Sequence, residues 1–243
     1  MTRCVALIPA YNEVQTIRAI VAATLPHVDA VIVIDDGSTD GTAEALEGSG
    51  ARVIRHAENR GKGPCLVEGL DLAVAEGAGA VITLDGDDQH DPADIPAFRA
   101  RAAEAPGALV LGDRSADMAN VPKGRGRSIR LSNFFIGWGC ARRITDAQCG
   151  MRLYPAAMWR ALRIPRSYCR GFVFETALLL HAADIGTRFV TVPVRARYGG
   201  HLRRASHFRP VADFVAITLA ITRFIVSRGF RPRGLLIALG LLR

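Results

Sequence analysis

A short apolar strand that runs into an acidic loop is the feature that most constrains the fold of this chain. Residues 81–84 are β-branched or leucine and carry no charge. The loop that follows holds five acidic or amide side chains, at Asp85, Asp87, Asp88, Gln89 and Asp91. A buried parallel strand that ends in this way places its carboxylates at the carboxyl edge of a sheet, where open α/β sheets bind ligands.

Asp85 and Asp87 indicate a cation site in this loop. Because clustered carboxylates repel one another, we expect a cation among them, and Gly86 leaves room for backbone or ligand to approach closely. Hard oxygen ligands of this kind suit Mg²⁺ or Mn²⁺, which are often shared with substrate phosphates. The alternative is a polar loop in which Asp91 caps a helix that begins with Pro92.

Strand and helix patterns alternate along the chain. Apolar runs predict strands at residues 4–9, 31–34, 52–55, 81–84, 108–111 and 190–194. Helical patterns lie at residues 16–25, 42–47, 64–75, 131–140 and 171–183. This alternation predicts an α/β fold, a mostly parallel sheet with helices on both faces. The length of 243 residues fits one large domain, expected at 1–208, followed by a tail at 209–243.

Two other predicted strands also end in side chains that carry chemistry. Tyr11 and Glu13 follow the first strand, and Asp35 and Asp36 follow the second. Parallel strand ends converge on one edge, where carboxylates can accept hydrogen bonds from ribose hydroxyls or from a base ring N–H. Lys62, between two glycines at a helix start, offers a cation beside backbone N–H groups, which suits phosphate. The alternatives are a simple turn after the second strand and a simple loop around the lysine.

Three further patterns limit the function classes. No GxGxxG follows the first strand, which weighs against a NAD-binding domain. The five cysteines are scattered, odd in number and never in a CxxC pair, which argues against a zinc site and indicates free thiols in a reducing compartment. The N-terminus enters the first strand without the basic and long apolar regions of a signal peptide. We therefore expect a cytoplasmic protein.

Four motifs together resemble the family 2 glycosyltransferases of GT-A fold. They are Pro9-Ala10-Tyr11-Asn12-Glu13, Asp35-Asp36-Gly37-Ser38-Thr39-Asp40-Gly41-Thr42, Asn59-Arg60-Gly61-Lys62-Gly63 and Asp85-Gly86-Asp87-Asp88-Gln89-His90. Their order and spacing are most similar to the dolichyl- or polyprenyl-phosphate sugar synthases, over residues 4 to 200. The resemblance implies a Rossmann-like GT-A sheet, a nucleoside-diphosphate sugar donor, Mg²⁺ or Mn²⁺ as cofactor, and inversion at the anomeric carbon.

The resemblance also implies roles for individual residues. The nucleoside would be held by Pro9, Tyr11, Glu13, Ile34 and Asp36. The DxD pair would be Asp85 and Asp87, with Gly86 between them and Gln89 assisting at the metal. Lys62 and Arg114 would meet donor phosphate. An R-x-x-G-x-S-K segment of the family corresponds to a longer stretch here, with Arg197 at its start and His207 in place of lysine; a histidine is only partly charged near neutral pH.

The second half holds the candidates for the acceptor side. Residues 123–130 are basic and contain glycine, and we expect a mobile acceptor loop in which Arg127 and Arg130 bind the acceptor, or else a solvated loop. Residues 145–152 resemble a TDxxSGFR-like segment of the family. Asp146 in that segment would act as a base or orient the acceptor, and Arg152 could pair with it. Glu175 is expected to be either a buried partner for an arginine or a site carboxylate. With Asp87, these two acids are the candidate catalytic groups.

The C-terminal tail is basic and apolar. Of the net charge of +8, residues 195–243 contribute ten arginines against one acid, Asp213. The apolar run at 211–226 is too short and too charged to span a bilayer, which needs about 20 apolar residues. Apolar helices flanked by arginines suit a membrane interface, so we expect an amphipathic helical tail on the cytoplasmic face. The alternative is a core helix with a solvated end. The tail lacks interleaved aromatic residues, so nucleic acid is not an expected partner.

The inferred reaction is transfer of a sugar to a membrane lipid, with polyprenyl phosphate as the expected acceptor. A phosphate monoester is largely ionised at pH 7 and needs cations instead of a base. A hydroxyl acceptor, on a lipid or a glycan, would require Asp146 or Glu175 as base. The alternatives from other classes are a non-catalytic nucleotide-sugar sensor and a nucleotidyltransferase.

Overall fold

The computed structural model describes residues 2–116, 123–169, 171, 173–195 and 210–242, with the backbone alone at 123–128 and 210–214. Within these residues seven strands form one sheet: β1 (Cys4–Ala10), β2 (Ala30–Asp35), β3 (Arg52–Arg55), β4 (Ala80–Thr83), β5 (Leu109–Asp113), β6 (Arg152–Pro155) and β7 (Phe189–Pro193). Their spatial order is β3-β2-β1-β4-β6-β5-β7. All neighbours run parallel except the two pairs that include β6.

Eight α-helices lie in the described part of the chain. They are α1 (Ile17–Thr24), α2 (Lys62–Ala75), α3 (Ile95–Glu104), α4 (Lys123–Cys140), α5 (Ala156–Ala161), α6 (Val173–Asp184), α7 (Pro210–Ser227) and α8 (Pro232–Ala238). Short 3₁₀ turns precede α3, follow α1 and interrupt two loops. The strand–helix alternation expected from the sequence is therefore present.

Two hydrophobic clusters, one on each face of the sheet, explain why the central strands are apolar throughout. In β1, Val5 and Leu7 join one cluster with α2, α6 and α7, whereas Ala6 and Ile8 join the other with α1 and α3. A strand buried on both faces has no polar alternation, because each side chain meets a covered surface. The predicted fold, a mostly parallel sheet with helices on both faces, is confirmed.

Strand β6 was not predicted. Residues 145–152 were interpreted only as a TDxxSGFR-like segment, yet Arg152–Pro155 pairs antiparallel with both β4 and β5. Four residues are too few for a periodic signal, and the pairing joins β6 to strands about 40 and 70 residues earlier in the chain. Its consequence is functional, because it brings the segment before β6 next to the end of β4.

The expectation of a loop at 123–130 is wrong, because the structure has helix α4 from Lys123 onward. Two glycines in its first turns each cost about 1 kcal/mol of helix stability relative to alanine, which is why the sequence favoured a loop. The remainder of α4 packs against α6, α7 and α8, and this packing decides the conformation. A second correction concerns the helix predicted at 42–47, which is only a 3₁₀ turn at Glu44–Leu46.

The C-terminal tail is helical, as expected, and it packs on the domain. From α7, Ile221, Phe224 and Ile225 are buried in the same hydrophobic cluster as α2 and α6. In α8, Ile237 is buried, and Gly234 lies against the backbone of α4, where a side chain would collide with the Trp138 carbonyl. No helix within the described residues has the length and apolar character needed to cross a membrane. The predicted boundary at residue 208 falls outside the described residues.

Candidate active site

The ends of β1 and β4 lie against each other at the carboxyl edge of the sheet. Thr16 Oγ1 donates a 2.6 Å hydrogen bond to the carbonyl of Gly86. A Cβ added at Gly86 would lie 3.3 Å from Glu13 Cγ and 3.5 Å from the Pro9 carbonyl. Glycine at this position therefore allows the acidic loop after β4 to approach the loop after β1, as the sequence suggested.

The loop after β2 holds the loop after β1 in place. The backbone N–H of Asn12 donates to Ser38 Oγ, and that of Glu13 donates to Thr42 Oγ1, both at 2.8 Å. Asn12 has φ 58°, a left-handed conformation that asparagine tolerates better than most residues, and its side chain accepts from Thr39 N–H. The polar residues of the second motif thus shape the first one.

Asp36 lies under the start of α2 and is almost completely buried. Its carboxylate accepts from the backbone N–H groups of Arg60 (2.9 Å) and Gly61 (2.7 Å), and it lies 2.9 Å from His56 Nδ1. Burial opposes ionisation, but these donors outweigh it and lower the pKa of Asp36. The other imidazole nitrogen of His56 lies 2.9 Å from Glu68. Asp36 is therefore an anchor for the loop that carries Lys62.

Lys62 joins two carboxylates that are far apart in the sequence. Its Nζ lies 2.6 Å from Asp85 Oδ1 and 3.4 Å from Glu175 Oε2. Burial alone would lower the pKa of Lys62, but the two carboxylates raise it above its ordinary value. Glu175 was expected to pair with an arginine or to be a site carboxylate, and the structure places its side chain beside this lysine.

Asp85 is confined on the side away from Lys62. Its Oδ2 lies 3.8 Å from Nδ1 of the buried His90, and a Cβ added at Gly150 would lie only 2.4 Å from Oδ2. Burial would raise the pKa of Asp85, but the adjacent ammonium of Lys62 outweighs it and the pKa falls to about 2. The sequence did not assign roles to His90 or Gly150, although both stand in motifs that carried the resemblance.

His90 stays neutral and positions the start of the acidic loop. Burial lowers its pKa. Its Nδ1 accepts from the backbone N–H of Asp85, so the proton is on Nε2, which faces Cys149 Sγ at 3.7 Å. Cys149, where the family often has serine, is buried and its pKa is raised to about 12, so it is a packing thiol and not a nucleophile.

Asp87 and Gln89 lie at the exposed rim of the same loop. The backbone N–H of Gln89 donates to Asp87 Oδ1 at 3.1 Å. Desolvation by the surrounding residues and the negative charge on Asp85 together raise the pKa of Asp87 to about 6. Two adjacent carboxylates, one of which resists ionisation because of the other, form a donor set that fits a hard divalent cation such as Mg²⁺ or Mn²⁺.

Arg114 and Asp146 form a buried bidentate ion pair. Arg114 Nε and Nη2 lie 2.7 and 3.0 Å from the two Asp146 oxygens, and the backbone N–H of Arg114 donates to the same carboxylate. Burial would raise the pKa of Asp146, but Arg114 outweighs it and lowers the pKa. The pairing of Arg152 with Asp146 considered above is wrong, because Arg152 donates instead to three carbonyls, of Cys149, Glu175 and Ala147.

The other candidate site residues differ in their location and solvent exposure. Pro9, Tyr11 and Glu13 are partly exposed at the site, whereas Ile34 is fully buried in the core, so only its backbone could contact a nucleoside. Arg130 is exposed on α4. Arg127 belongs to the same helix, but its side chain is outside the described part of the chain, as are Arg197 and His207 entirely.

A second group of side chains has the composition of a metal site. Ligand atoms of Asp36, His56 and Cys65 lie within 4.8 Å of one another, and this is the one such group of three among the described residues. The oxygens of Asp36 already accept from His56 and from backbone N–H groups, and burial raises the pKa of the Cys65 thiol. The group is therefore a hydrogen-bonded support for the loop before α2.

Comparison with known proteins supports the same interpretation. The family model described as glycosyl transferase family 2 matches residues 5–159. An undecaprenyl-phosphate mannosyltransferase of Micrococcus luteus is 27% identical over 208 residues, which are 79% of this chain and 82% of the relative. A UDP-N-acetylglucosamine–dolichyl-phosphate N-acetylglucosaminyltransferase of Methanococcus voltae is 27% identical over 218 residues, covering 79% and 84%.

One further relative and one solved structure complete the comparison. A dodecaprenyl-phosphate galacturonate synthase of Rhizobium johnstonii is 25% identical over 230 residues, covering 87% of this chain and 65% of the relative. Glucosyl-3-phosphoglycerate synthase of Mycobacterium tuberculosis, solved with Mg²⁺ and UDP, has a TM-score of 0.64 and 22% identity, covering 93% of this chain and 79% of that one. The latter similarity concerns the fold, which it confirms. By its motifs, its sheet and the family match over residues 5–159, this chain belongs to glycosyl transferase family 2.

Proposed function

We propose that this glycosyltransferase moves a sugar from a nucleoside-diphosphate sugar to a polyprenyl phosphate at the surface of a membrane, with inversion at the anomeric carbon. Its relatives are named for transfer to undecaprenyl, dodecaprenyl and dolichyl phosphates. The solved neighbour was crystallised with UDP and Mg²⁺, which supports a nucleotide donor and a divalent cation here too.

The choice of a phosphate acceptor rests on the ion pairs that Asp146 and Glu175, the two candidate bases, already make. Asp146 is held by Arg114 in a bidentate pair, and Glu175 faces Lys62. Arg114 lowers the pKa of Asp146, which makes this carboxylate a weak base, and the Glu175 side chain is already engaged by the ammonium of Lys62. Neither group is therefore well placed to deprotonate a hydroxyl. A phosphate acceptor needs no such base, since its second pKa is about 6.

The chain's own residues then bind and orient the reactants. The loops after β1 and β2 would hold the nucleoside, with the partly exposed Tyr11 and Glu13 beside it. Lys62 and Arg114 would place positive charge where the diphosphate leaves, which stabilises the charge that develops in the transition state. Asp85 and Asp87, with Gln89, would hold Mg²⁺ or Mn²⁺. When bound, such an ion supplies Lewis-acid stabilisation of the leaving diphosphate.

The test is release of nucleoside diphosphate by the purified protein across UDP- and GDP-sugars, with and without polyprenyl phosphate. We expect release that requires one donor type and increases at least about tenfold with the lipid phosphate. Turnover that ignores the lipid phosphate and responds to a hydroxyl acceptor would contradict the choice of acceptor. Pyrophosphate release from a nucleoside triphosphate would instead indicate a nucleotidyltransferase, and binding without turnover a sensor.

A surface of exposed apolar side chains supports the membrane as the place of reaction. It comprises Leu131 and Phe135 of α4, Val215, Leu219 and Val226 of α7, Phe230, and Leu236, Leu239, Leu241 and Leu242 in and after α8. Exposed arginines accompany it, including Arg223 and Arg233. Exposed apolar side chains accompanied by basic residues are typical of interfacial membrane binding.

Placing acidic side chains on this surface is expected to weaken membrane binding. The double variant Leu219→Glu/Val226→Glu should reduce co-sedimentation with vesicles containing anionic lipid by about tenfold, because two apolar contacts are lost and negative charge meets negative head groups. Ala157→Glu, at an exposed position of α5, is the matched control and should bind as the wild type does. Equal binding by all three proteins would exclude this surface from membrane contact.

A further inference from the structure

We infer that Lys62 and the divalent cation compete for Asp85, and that Glu175 is the second partner that receives the lysine when the cation binds. The inference rests on the proposed function, because it concerns the residues that would hold the metal and the diphosphate. It assigns Lys62 a role in metal affinity, in addition to phosphate binding.

The geometry around Asp85 restricts where a cation can bind. Its Oδ2 faces His90 and the backbone at Gly150, where even one added carbon would lie 2.4 Å away. Its Oδ1 faces the ammonium of Lys62 at 2.6 Å. A cation that binds Asp85 together with Asp87 therefore needs the oxygen that the lysine contacts, or must approach within direct repulsive range of the ammonium.

Lys62 reduces the negative charge of this group of side chains. Asp85, Asp87 and Glu175 bring three negative charges and Lys62 one positive charge, so the four side chains together carry a net of −2 when all are ionised. A divalent cation neutralises this charge. Without the lysine the same carboxylates would carry −3 and would attract the cation more strongly. Lys62 thus lowers the affinity of the site for free metal.

Glu175 is already close enough to pair with Lys62. Its Oε2 already lies 3.4 Å from Lys62 Nζ, and both side chains are largely buried, with 14% and 20% exposed. A lysine side chain has a flexible stem, so a small rotation can exchange one carboxylate for the other. Glu175 therefore keeps the displaced ammonium paired inside the site, where it can meet the diphosphate of an incoming donor.

The competition predicts opposite effects on two ligands. The variant Lys62→Gln should bind Mn²⁺ about tenfold more tightly in the absence of nucleotide, since it removes a unit charge near the ion. The same variant should bind UDP or GDP about tenfold more weakly at saturating Mg²⁺, since it removes a phosphate contact. General damage to the site would weaken both, so the opposite signs distinguish competition from misfolding.

The measurement is the fraction of free Mn²⁺ by electron paramagnetic resonance, together with calorimetric titration of UDP and GDP. Arg60→Gln is the matched control, because it removes the same charge at a position two residues before Lys62. The Arg60 side chain approaches Glu68 at 3.9 Å and not Asp85. We expect it to change Mn²⁺ affinity by less than about twofold.

A double-mutant cycle tests the part assigned to Glu175. The variant Glu175→Gln should weaken Mn²⁺ binding in the wild type and have a smaller effect in the Lys62→Gln background. Equal effects in both backgrounds would overturn the role of Glu175 as the second partner of the lysine.

The outcomes separate this inference from the proposed function. If the wild type binds Mn²⁺ and a nucleotide, and Lys62→Gln fails to bind Mn²⁺ more tightly, the competition is wrong and the proposed function stands. If the wild type binds neither Mn²⁺ nor UDP or GDP, the proposed function fails and the competition fails with it.

Discussion

Replacing Asp87 with asparagine is expected to reduce sugar transfer by about 10³-fold while the protein stays folded. Asparagine keeps the shape of the side chain and the oxygen that accepts from the backbone of Gln89, but it removes the negative charge. Only Asp85 would then remain as a charged ligand, and Lys62 already contacts it. The measurement is nucleoside-diphosphate release at saturating donor and acceptor, with Mn²⁺ varied.

The same variant is expected to be slightly more stable than the wild type when no metal is present. Partial desolvation by the surrounding residues and the charge on Asp85 raise the pKa of Asp87 to about 6 in the folded protein, although part of the side chain remains exposed to solvent. A carboxyl whose pKa is higher in the folded than in the unfolded state destabilises the fold at pH values above both, because the unfolded chain ionises it more easily. Asparagine removes this cost, so the Tm at pH 7 should rise by about 1–3 °C. The rise is small because the side chain is exposed, and it should vanish as the pH falls from 6 towards about 4.

Asp88→Asn is the matched control for both effects. It removes the same charge one residue away, and asparagine tolerates the positive φ of 60° found there. Its turnover should stay within about fivefold of the wild type. Adding Mn²⁺ with UDP should raise the Tm of the wild type and of this control, and should leave Asp87→Asn unchanged. Turnover of Asp87→Asn within tenfold of the wild type would contradict the metal site.

The features predictable from the sequence are those that depend on local pattern. Strands β1, β2 and β4 were found within one residue at each end because each is an uninterrupted apolar run. The acidic loop could be predicted as a ligand site because an apolar strand that ends in several carboxylates is uncommon without a ligand or cation at that edge. Parallel topology then placed Glu13, Asp36 and Asp85 at one edge without any knowledge of contacts.

The features that could not be predicted depend on tertiary contacts. The partner of Asp146 is Arg114, 32 residues earlier, and no spacing rule relates the two. Lys62 meets Asp85 and Glu175 only because α2 and α6 pack on the same face of the sheet. The glycine-containing start of α4 is helical because the rest of that helix packs against three others.

Replacing Asp146 with asparagine is expected to destabilise the protein by about 3–5 kcal/mol, because Arg114 would keep its charge inside the fold and lose the carboxylate that pairs with it through two hydrogen bonds. Both side chains are buried, with 5% and 11% exposed, so solvent cannot replace the lost carboxylate. For a domain of this size the loss corresponds to a Tm about 6–20 °C lower at pH 7. Thermal unfolding of the purified variant measures it.

The loss of stability caused by Asp146→Asn should become smaller as the pH falls. Arg114 lowers the pKa of Asp146 in the folded protein, so the ionised carboxylate stabilises the fold at pH values above its unfolded pKa of about 3.9. That contribution disappears as the pH falls through the lowered pKa. The difference in Tm between wild type and variant should therefore be largest near neutral pH and shrink below about pH 4.

Asp113→Asn is the matched control for this prediction. Asp113 is a nearby carboxylate that accepts from Ser115 N–H and Thr145 Oγ1 and has no arginine in those contacts. Its replacement should cost about 1 kcal/mol, since both donors are uncharged and asparagine keeps one accepting oxygen. A destabilisation as large as that of Asp146→Asn would show that the buried ion pair is not the cause.

The kinetics of Asp146→Asn decide between the two kinds of acceptor. If Asp146 serves to orient Arg114, turnover should fall by about 10- to 100-fold, with a higher KM for the donor, because the arginine no longer points at the diphosphate. A phosphate acceptor would still react, since it arrives ionised. If instead the variant keeps its stability and both ligand affinities yet loses more than about 10³-fold in turnover, Asp146 acts as a base. The acceptor would then be a hydroxyl, and the ion pair with Arg114 would have to open during each reaction cycle.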